Sequence, residues 1–256
     1  MKVIKIGGAV IDTPHLRAKV LSMIAQSGEP CVLIHGGGVI ATRLAEQLNI
    51  PQTMIDGRRV TDAATLDVVV MAYAGNVNKT LVAELHAAGS RSIGVTGADA
   101  DLIRAHRRQH PTIDYGFVGD VDRVDAHQLR MFLQQGINVV VAPITHDGRG
   151  QLLNTNADTM AAEVAIALAA TTTHAGDAVS LHFVFEHHGV LTSIDDPGSV
   201  VGVINAEAVA DFIERGVITK GMMPKISNAL RAAGVGVATV IQHVDDCGTM
   251  KGTRVL

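Results

Sequence analysis

Along the chain, short runs of apolar and often β-branched residues alternate with longer segments whose apolar positions recur every three or four residues. Val3 to Ile6 is followed by Leu16 to Ala25, then by Cys31 to Ile34 and by Val39 to Leu48. That order predicts strand, helix, strand, helix, the opening of a parallel sheet covered by helices. In the second helix Ile40, Ala41, Leu44, Ala45 and Leu48 share one face, which packs on the sheet. A helical stretch from about Asp62 to Ala88 follows, interrupted at Gly75, and then "SIGVTG" as a strand. Tyr115 to Val124 alternates like a β-ribbon. A helix over 126–135, a strand in "NVVVAPI" and a turn in "THDGRGQ" come next.

The segment "LLNTNADTMAAEVAIALAA" places a polar cluster at a strand-to-helix junction. Asn154 or Asn156 ends the strand and caps a helix beginning near Asp158, with Met160, Ala161, Val164, Ala165 and Leu168 as its buried stripe. The remainder predicts a strand in "VSLHFVF", helices over 206–214 and 221–233, a strand in "VATVIQ" and a terminal "TRVL". With no linker, repeat or compositional shift, the pattern predicts one α/β domain over residues 1–256, built on a continuous sheet with two lobes.

Composition narrows the functional classes. The chain has 256 residues, 47% hydrophobic and 18% charged, with a formal net charge of −4. The basic residues are scattered except in "HRRQH" at 106–110, which reads as a solvated loop, so neither nucleic acid nor an anionic membrane is expected. Cys31 and Cys247 stand alone, as thiols do in a reducing cytosol. Gly7, Gly8, Asp12 and Pro14 interrupt the N-terminus before a signal-peptide core could form, and apolar runs elsewhere are far short of the roughly 20 residues that span a bilayer. A cytoplasmic protein is expected.

Two glycine turns carry the candidate chemistry: "VIKIGG" at the start and "IHGGG" at 34–38. Each follows a strand, where a backbone without side chains and the N–H groups of a helix start favour an anion, a phosphate first of all. Neither matches G-x-G-x-x-G, and no G-x-x-x-x-G-K-[ST] is present. Lys5 lies inside the first apolar strand, immediately before the glycines. Strand alternation leaves two readings for it: an edge lysine facing solvent, or a functional group at the ligand-binding end of the sheet.

Five motifs in order, "VIKIGG", "IHGGG", "GRRVT", "LLNTNADTMA" and "GVITKGMMPKISNAL", resemble the amino acid kinase family, and within it the acetylglutamate kinases. The resemblance spans essentially the whole chain. "YGFVGDVDRVD" and "APITHDGRG" are also similar to a branch associated with N-succinylglutamate. The resemblance implies a three-layer αβα sandwich with a central, mainly parallel open sheet. Its lobe 1–157 would bind acyl-glutamate and dimerise, and its lobe 158–256 would bind the nucleotide. It implies transfer of the γ-phosphoryl of ATP to the side-chain carboxylate of N-acetyl-L-glutamate, in arginine biosynthesis, with N-succinyl-L-glutamate as the alternative acceptor. Magnesium would arrive with ATP, held by its phosphates, and no resident metal is expected despite His182, His187 and His188.

Residue roles follow from the resemblance alone. Lys5 and Lys225 would stabilise the transferring phosphoryl, and Asp158 would lie between them as organiser. Backbone N–H groups of Gly7, Gly8, Gly37 and Gly38 would serve the phosphoryl and the reacting carboxylate. Arg59 and Asn154 would bind the acyl-glutamate, while Arg58 reads as a surface charge and Asn156 as a cap. Phe185 and Glu186 depart from the Ser/Thr-Asp pair of many members, which leaves the adenosine contacts open. Arg104, Arg107 and Arg108 are candidates for a succinyl carboxylate, with a solvated basic loop as the other reading. Arginine-inhibited members carry an extra N-terminal helix, for which this chain has no residues, so a homodimer insensitive to arginine is expected. A silent nucleotide sensor of the same fold and, more weakly, an oxidoreductase are the competing classes.

Overall fold

The computed structural model describes residues 1–55, 57–172, 178–193, 195–218 and 222–256. Its strands are β1 (Lys2–Ile6), β2 (Cys31–His35), β3 (Thr53–Ile55), β4 (Arg58–Val60), β5 (Ser92–Val95), β6 (Ile103–Arg107) and β7 (Val118–Val124), then β8 (Asn138–Val141), β9 (Ile144–His146), β10 (Leu152–Thr155), β11 (Ser180–Phe185), β12 (Val203–Ile204), β13 (Ala238–His243) and β14 (Thr253–Val255). Its helices are α1 (Gly8–Asp12), α2 (Pro14–Ser27), α3 (Gly38–Gln47), α4 (Ala63–Val69), α5 (Asn78–Ala87), α6 (Ala126–Gln134), α7 (Ala157–Ala170), α8 (Ala206–Glu214) and α9 (Met223–Ala233).

The main sheet runs β12-β14-β13-β11-β1-β2-β8-β5, and every neighbouring pair is parallel except β13 with β14. Side-chain alternation divides its core in two. Val3, Val32, Ile34, Leu181 and Phe183 pack with residues of α6, α7 and α9. Ile4, Ile6, Leu33 and Val184 pack with α1, α2 and α5 on the opposite face. Helices on both faces of a mainly parallel sheet make the expected three-layer αβα architecture. Among the described residues no helix is long and apolar enough to cross a membrane.

The expectation of one continuous sheet is corrected. Strands β10, β7, β6 and β9 close into a separate ring of four, and β3 and β4 form a small hairpin of their own. β6 runs into the basic stretch expected as a solvated loop; its alternation hides Ile103 and Ala105 and leaves Arg104, His106 and Arg107 exposed. The 62–88 stretch is helical throughout, but Val70–Val77, which contains Gly75, is wound as a π-helix between α4 and α5. Such segments recur near functional sites, and this one delivers Tyr73 to the second glycine turn.

Candidate active site

β1 and β2 are adjacent and parallel, with Ile6 opposite His35, so both glycine turns leave the same carboxyl edge side by side. A Cβ placed on Gly36 would lie 3.8 Å from the amide nitrogen of Gly8. The two turns therefore face each other. Gly8 and Gly38 are the first residues of α1 and α3, where N–H groups have no helical acceptor. Gly7 differs, because its N–H already donates to the Val184 carbonyl at 3.2 Å.

Lys5 is not an edge lysine. β1 is flanked by β2 and β11, and residue alternation sends Lys5 to the α7 face, where its Nζ meets Asp158 Oδ1 at 2.8 Å. Asp158 belongs to the first turn of α7, whose start is fixed by Asn156, the side chain of which accepts the Thr159 N–H at 3.0 Å. Asn156 is thus the cap, and Asn154 stays on β10. Burial pushes the Asp158 carboxyl up, but Lys5, Lys225 and Arg58 more than offset it and hold it below the usual carboxylate range. Burial, with repulsion from Lys5, holds the Lys225 ammonium below its ordinary value against the pull of Asp158 and Glu186. Three cations around one carboxylate leave an excess of positive charge suited to a polyanion.

A cavity of about 160 Å³ opens beside the turns, lined by Gly37, Gly38, Arg58, Arg59 and Asn154 among others. The β3–β4 hairpin sends Arg59 inward. Its Nη2 donates to the Gly38 carbonyl at 3.0 Å and to Thr42 Oγ1 at 2.9 Å, and its Nη1 donates to Gln52. Asn154 Nδ2 donates to Thr61 Oγ1 at 3.0 Å. Arg58 is more than the surface charge expected: it is half-buried, lines this cavity and a second one of about 620 Å³, and feels Arg108 and Asp120. Of the three candidate arginines only Arg108 lines that second cavity, with its Nη1 3.4 Å from Asp120 Oδ1, while Arg104 pairs with Asp101 at 2.6 Å and Arg107 with Asp114 at 2.7 Å. On the other side of Lys225, Phe185, Glu186, His187 and Met222 help line a cavity of about 580 Å³.

Sequence reading gave His35 no role. Its ring is fully buried, with Nδ1 2.7 Å from the Gly36 carbonyl and Nε2 3.2 Å from Asn78 Nδ2, which also donates to the Val140 carbonyl at 3.0 Å. These partners assign the proton to Nδ1, so a neutral ring anchors the second turn, and burial lowers its pKa to about 4. The histidine inside "IHGGG" was the available signal.

Comparison with known proteins shows the family. Residues 1–242 match the amino acid kinase family, and the chain belongs to it. The chain is 45% identical over 240 residues to a protein named acetylglutamate kinase from Cytophaga hutchinsonii, covering 93% of this chain and 89% of that one. It is 46% identical over 253 residues to one of the same name from Parabacteroides distasonis, covering 98% and 97%. Among solved structures, smu.665 from Streptococcus mutans superposes with a TM-score of 0.81 at 29% identity, covering 99% of this chain and 97% of that one. The chain is accordingly a kinase, and the family's phosphoryl donor is ATP.

Proposed function

We propose that this chain transfers the γ-phosphoryl of MgATP to the side-chain carboxylate of N-acetyl-L-glutamate, giving N-acetyl-L-glutamyl 5-phosphate and ADP, as a step of arginine biosynthesis. The observation that carries this reading is the Lys5–Asp158 pair, 2.8 Å apart beside two facing glycine turns, with Lys225 in electrostatic reach. Carboxylate and triphosphate repel each other, so the site's work is to position them and to compensate charge in line with transfer. Lys5 and Lys225 take the charge on the phosphoryl, Asp158 spaces them, and the N–H groups of Gly8, Gly37 and Gly38 meet oxygens of the phosphoryl and the attacking carboxylate. Arg59 and Asn154 hold the amino acid end of the acceptor. Magnesium is part of the MgATP substrate, coordinated mainly by phosphate oxygens.

A second reading has its own support. Arg58 and Arg108 line a cavity adjoining the acceptor site together with Asp120, to which Arg108 is paired at 3.4 Å, and two guanidiniums around one carboxylate leave charge to pair the extra carboxylate of N-succinyl-L-glutamate, which would be costly to bury alone. For the subunit arrangement we propose a cytoplasmic homodimer. Val39 on α3, Leu48 just after it and Met71 on the neighbouring helical stretch are large apolar side chains left exposed, as a subunit contact would use them. Phosphoryl transfer from ATP to the two acyl-glutamates, compared side by side, tests the function. Faster turnover of the acetyl compound supports the first reading and faster turnover of the succinyl compound the second. Turnover of neither would leave the nucleotide sensor as the better account.

A further inference from the structure

We propose that Phe185 is a positioning residue that holds the Lys225 ammonium over its ring face and so keeps the lysine's N–H donors free for the transferring phosphoryl. The inference rests on the reading that Lys225 acts on that phosphoryl. Lys225 Nζ stands 4.2 Å from the Phe185 ring centroid, well within the range of a cation–π contact. Among the described residues no carboxylate comes within 4.0 Å of it. Asp158, the obvious counter-ion, is engaged by Lys5 at 2.8 Å. Among the described residues Lys225 therefore has no close ion-pair partner, only the longer-range pull of Asp158 and Glu186, and the aromatic ring is the group in contact with its charge.

A ring suits this task better than a second carboxylate. A carboxylate would accept the lysine's N–H bonds and neutralise its charge, competing with the phosphate it should serve. The π face attracts the cation electrostatically, takes up none of its donors in a directed hydrogen bond and cannot be protonated.

The ring is itself well held. Phe185 ends β11, is 8% exposed, and stands roughly perpendicular to the His187 ring with centroids 5.5 Å apart. Its Cβ lies 3.9 Å from where a Cβ on Gly7 would stand, and the Gly7 N–H donates to the adjacent Val184 carbonyl, so the same residue joins the first glycine turn to the nucleotide side. The departure from a Ser/Thr-Asp pair at 185–186 thus acquires a physical role.

The test replaces the ring's electronics without its shape. Pentafluorophenylalanine at position 185 keeps the packing and inverts the quadrupole, Phe185→Leu removes the π face, and Phe185→Tyr retains it. The first two should lower kcat about tenfold with little change in KM for the acyl-glutamate, and Phe185→Tyr should stay within about twofold of wild type. Among the described residues the charged groups facing Lys225 are Lys5 on β1, Asp158 on α7 and Glu186 beyond β11. None of them is altered, so loss of the π face should move the basic limb of the kcat–pH profile to lower pH. Lys225→Ala, run in parallel, separates the two ideas. If it loses activity while the pentafluoro enzyme keeps wild-type kcat and an unmoved basic limb, the ring only fills space and the inference falls. If Lys225→Ala itself stays active, the role of Lys225 falls, and this inference with it.

Discussion

The two glycine turns stand side by side at the same sheet edge, yet glycine is there for opposite reasons. At the second turn the protein itself requires it. Gly37 adopts φ +153, and a Cβ there would come within 2.8 Å of the Tyr73 ring. The flanking carbonyls are held as well, that of Gly36 by His35 and that of Gly38 by Arg59. At the first turn nothing among the described residues demands glycine. Gly8 has a helical backbone, and a Cβ on it would meet nothing within 4 Å among the described residues. A residue kept small where the fold leaves room points to a ligand that needs the room. The second turn is shaped by its own packing, the first by what approaches it.

The largest effect should come from the charges beside the first turn. Lys5→Ala or Lys225→Ala should lower kcat by about a hundredfold or more, near 3 kcal/mol, the scale of losing one preorganised electrostatic donor. Steady-state kinetics on folded protein decides this, and near-normal kcat in both variants would end the assignment.

At the second turn the corresponding change should act on folding. Gly37→Ala forces a side chain into a left-handed backbone and against a ring, with an expected loss of about 2 kcal/mol or more of stability. Unchanged thermal unfolding would mean that Tyr73 and the turn yield easily, and the contrast between the turns would weaken.

His35 offers a pH-dependent version of the same test. Its folded pKa of about 4 lies below the ordinary 6.5 because burial disfavours the imidazolium. Above pH 6.5 both folded and unfolded states carry it neutral. As pH falls from there toward 4 the unfolded state binds the proton first, so stability is lost across that window, by about 2 kcal/mol between pH 6.5 and 5. Asp158 acts in a separate window, since its lowered pKa removes stability only below about 3.8. Denaturant midpoints from pH 7 to 5 should fall more steeply in wild type than in His35→Asn. His182, also buried and held below its ordinary value, adds to both slopes and cancels in the difference. Equal slopes would remove His35 as the titrating anchor.

The sequence made the scaffold readable where periodicity is strong. β1, β2, α3, α7 with its Asn156 cap, and α8 all stand where apolar spacing and capping chemistry indicated. What it concealed is short or long-range. β3 and β4 have only three residues each and face solvent on one side, too little alternation to register. β6 was hidden by its arginines, because basic side chains on the outer face of a strand look like a loop until Ile103 and Ala105 are seen to point inward. The site residues came from the resemblance, whereas their pairing came from the fold. Nothing local in "VIKIGG" says that Lys5 faces α7 rather than solvent, because the side of the sheet a strand residue faces depends on its neighbours. Phe185 likewise appeared only as a departure from a pattern, since its partner is forty residues away on α9.

The smallest stability change should be the sharpest discriminator between the turns. Gly8→Ala places a methyl group where the chain has open space and a helical backbone, so the unfolded state loses freedom and the folded state takes no strain. Stability should rise by roughly 0.5 kcal/mol. If the space belongs to the phosphoryl and the attacking carboxylate, the same methyl should obstruct their approach and lower kcat/KM by about tenfold or more, since a misplacement of about 1 Å in a reacting pair is expensive. Gly8→Ala would then be a slightly more stable and markedly slower enzyme, while Gly37→Ala is a less stable one. Should Gly8→Ala keep full activity, the room at the first turn is incidental, and the transferring group must pass elsewhere along the sheet edge.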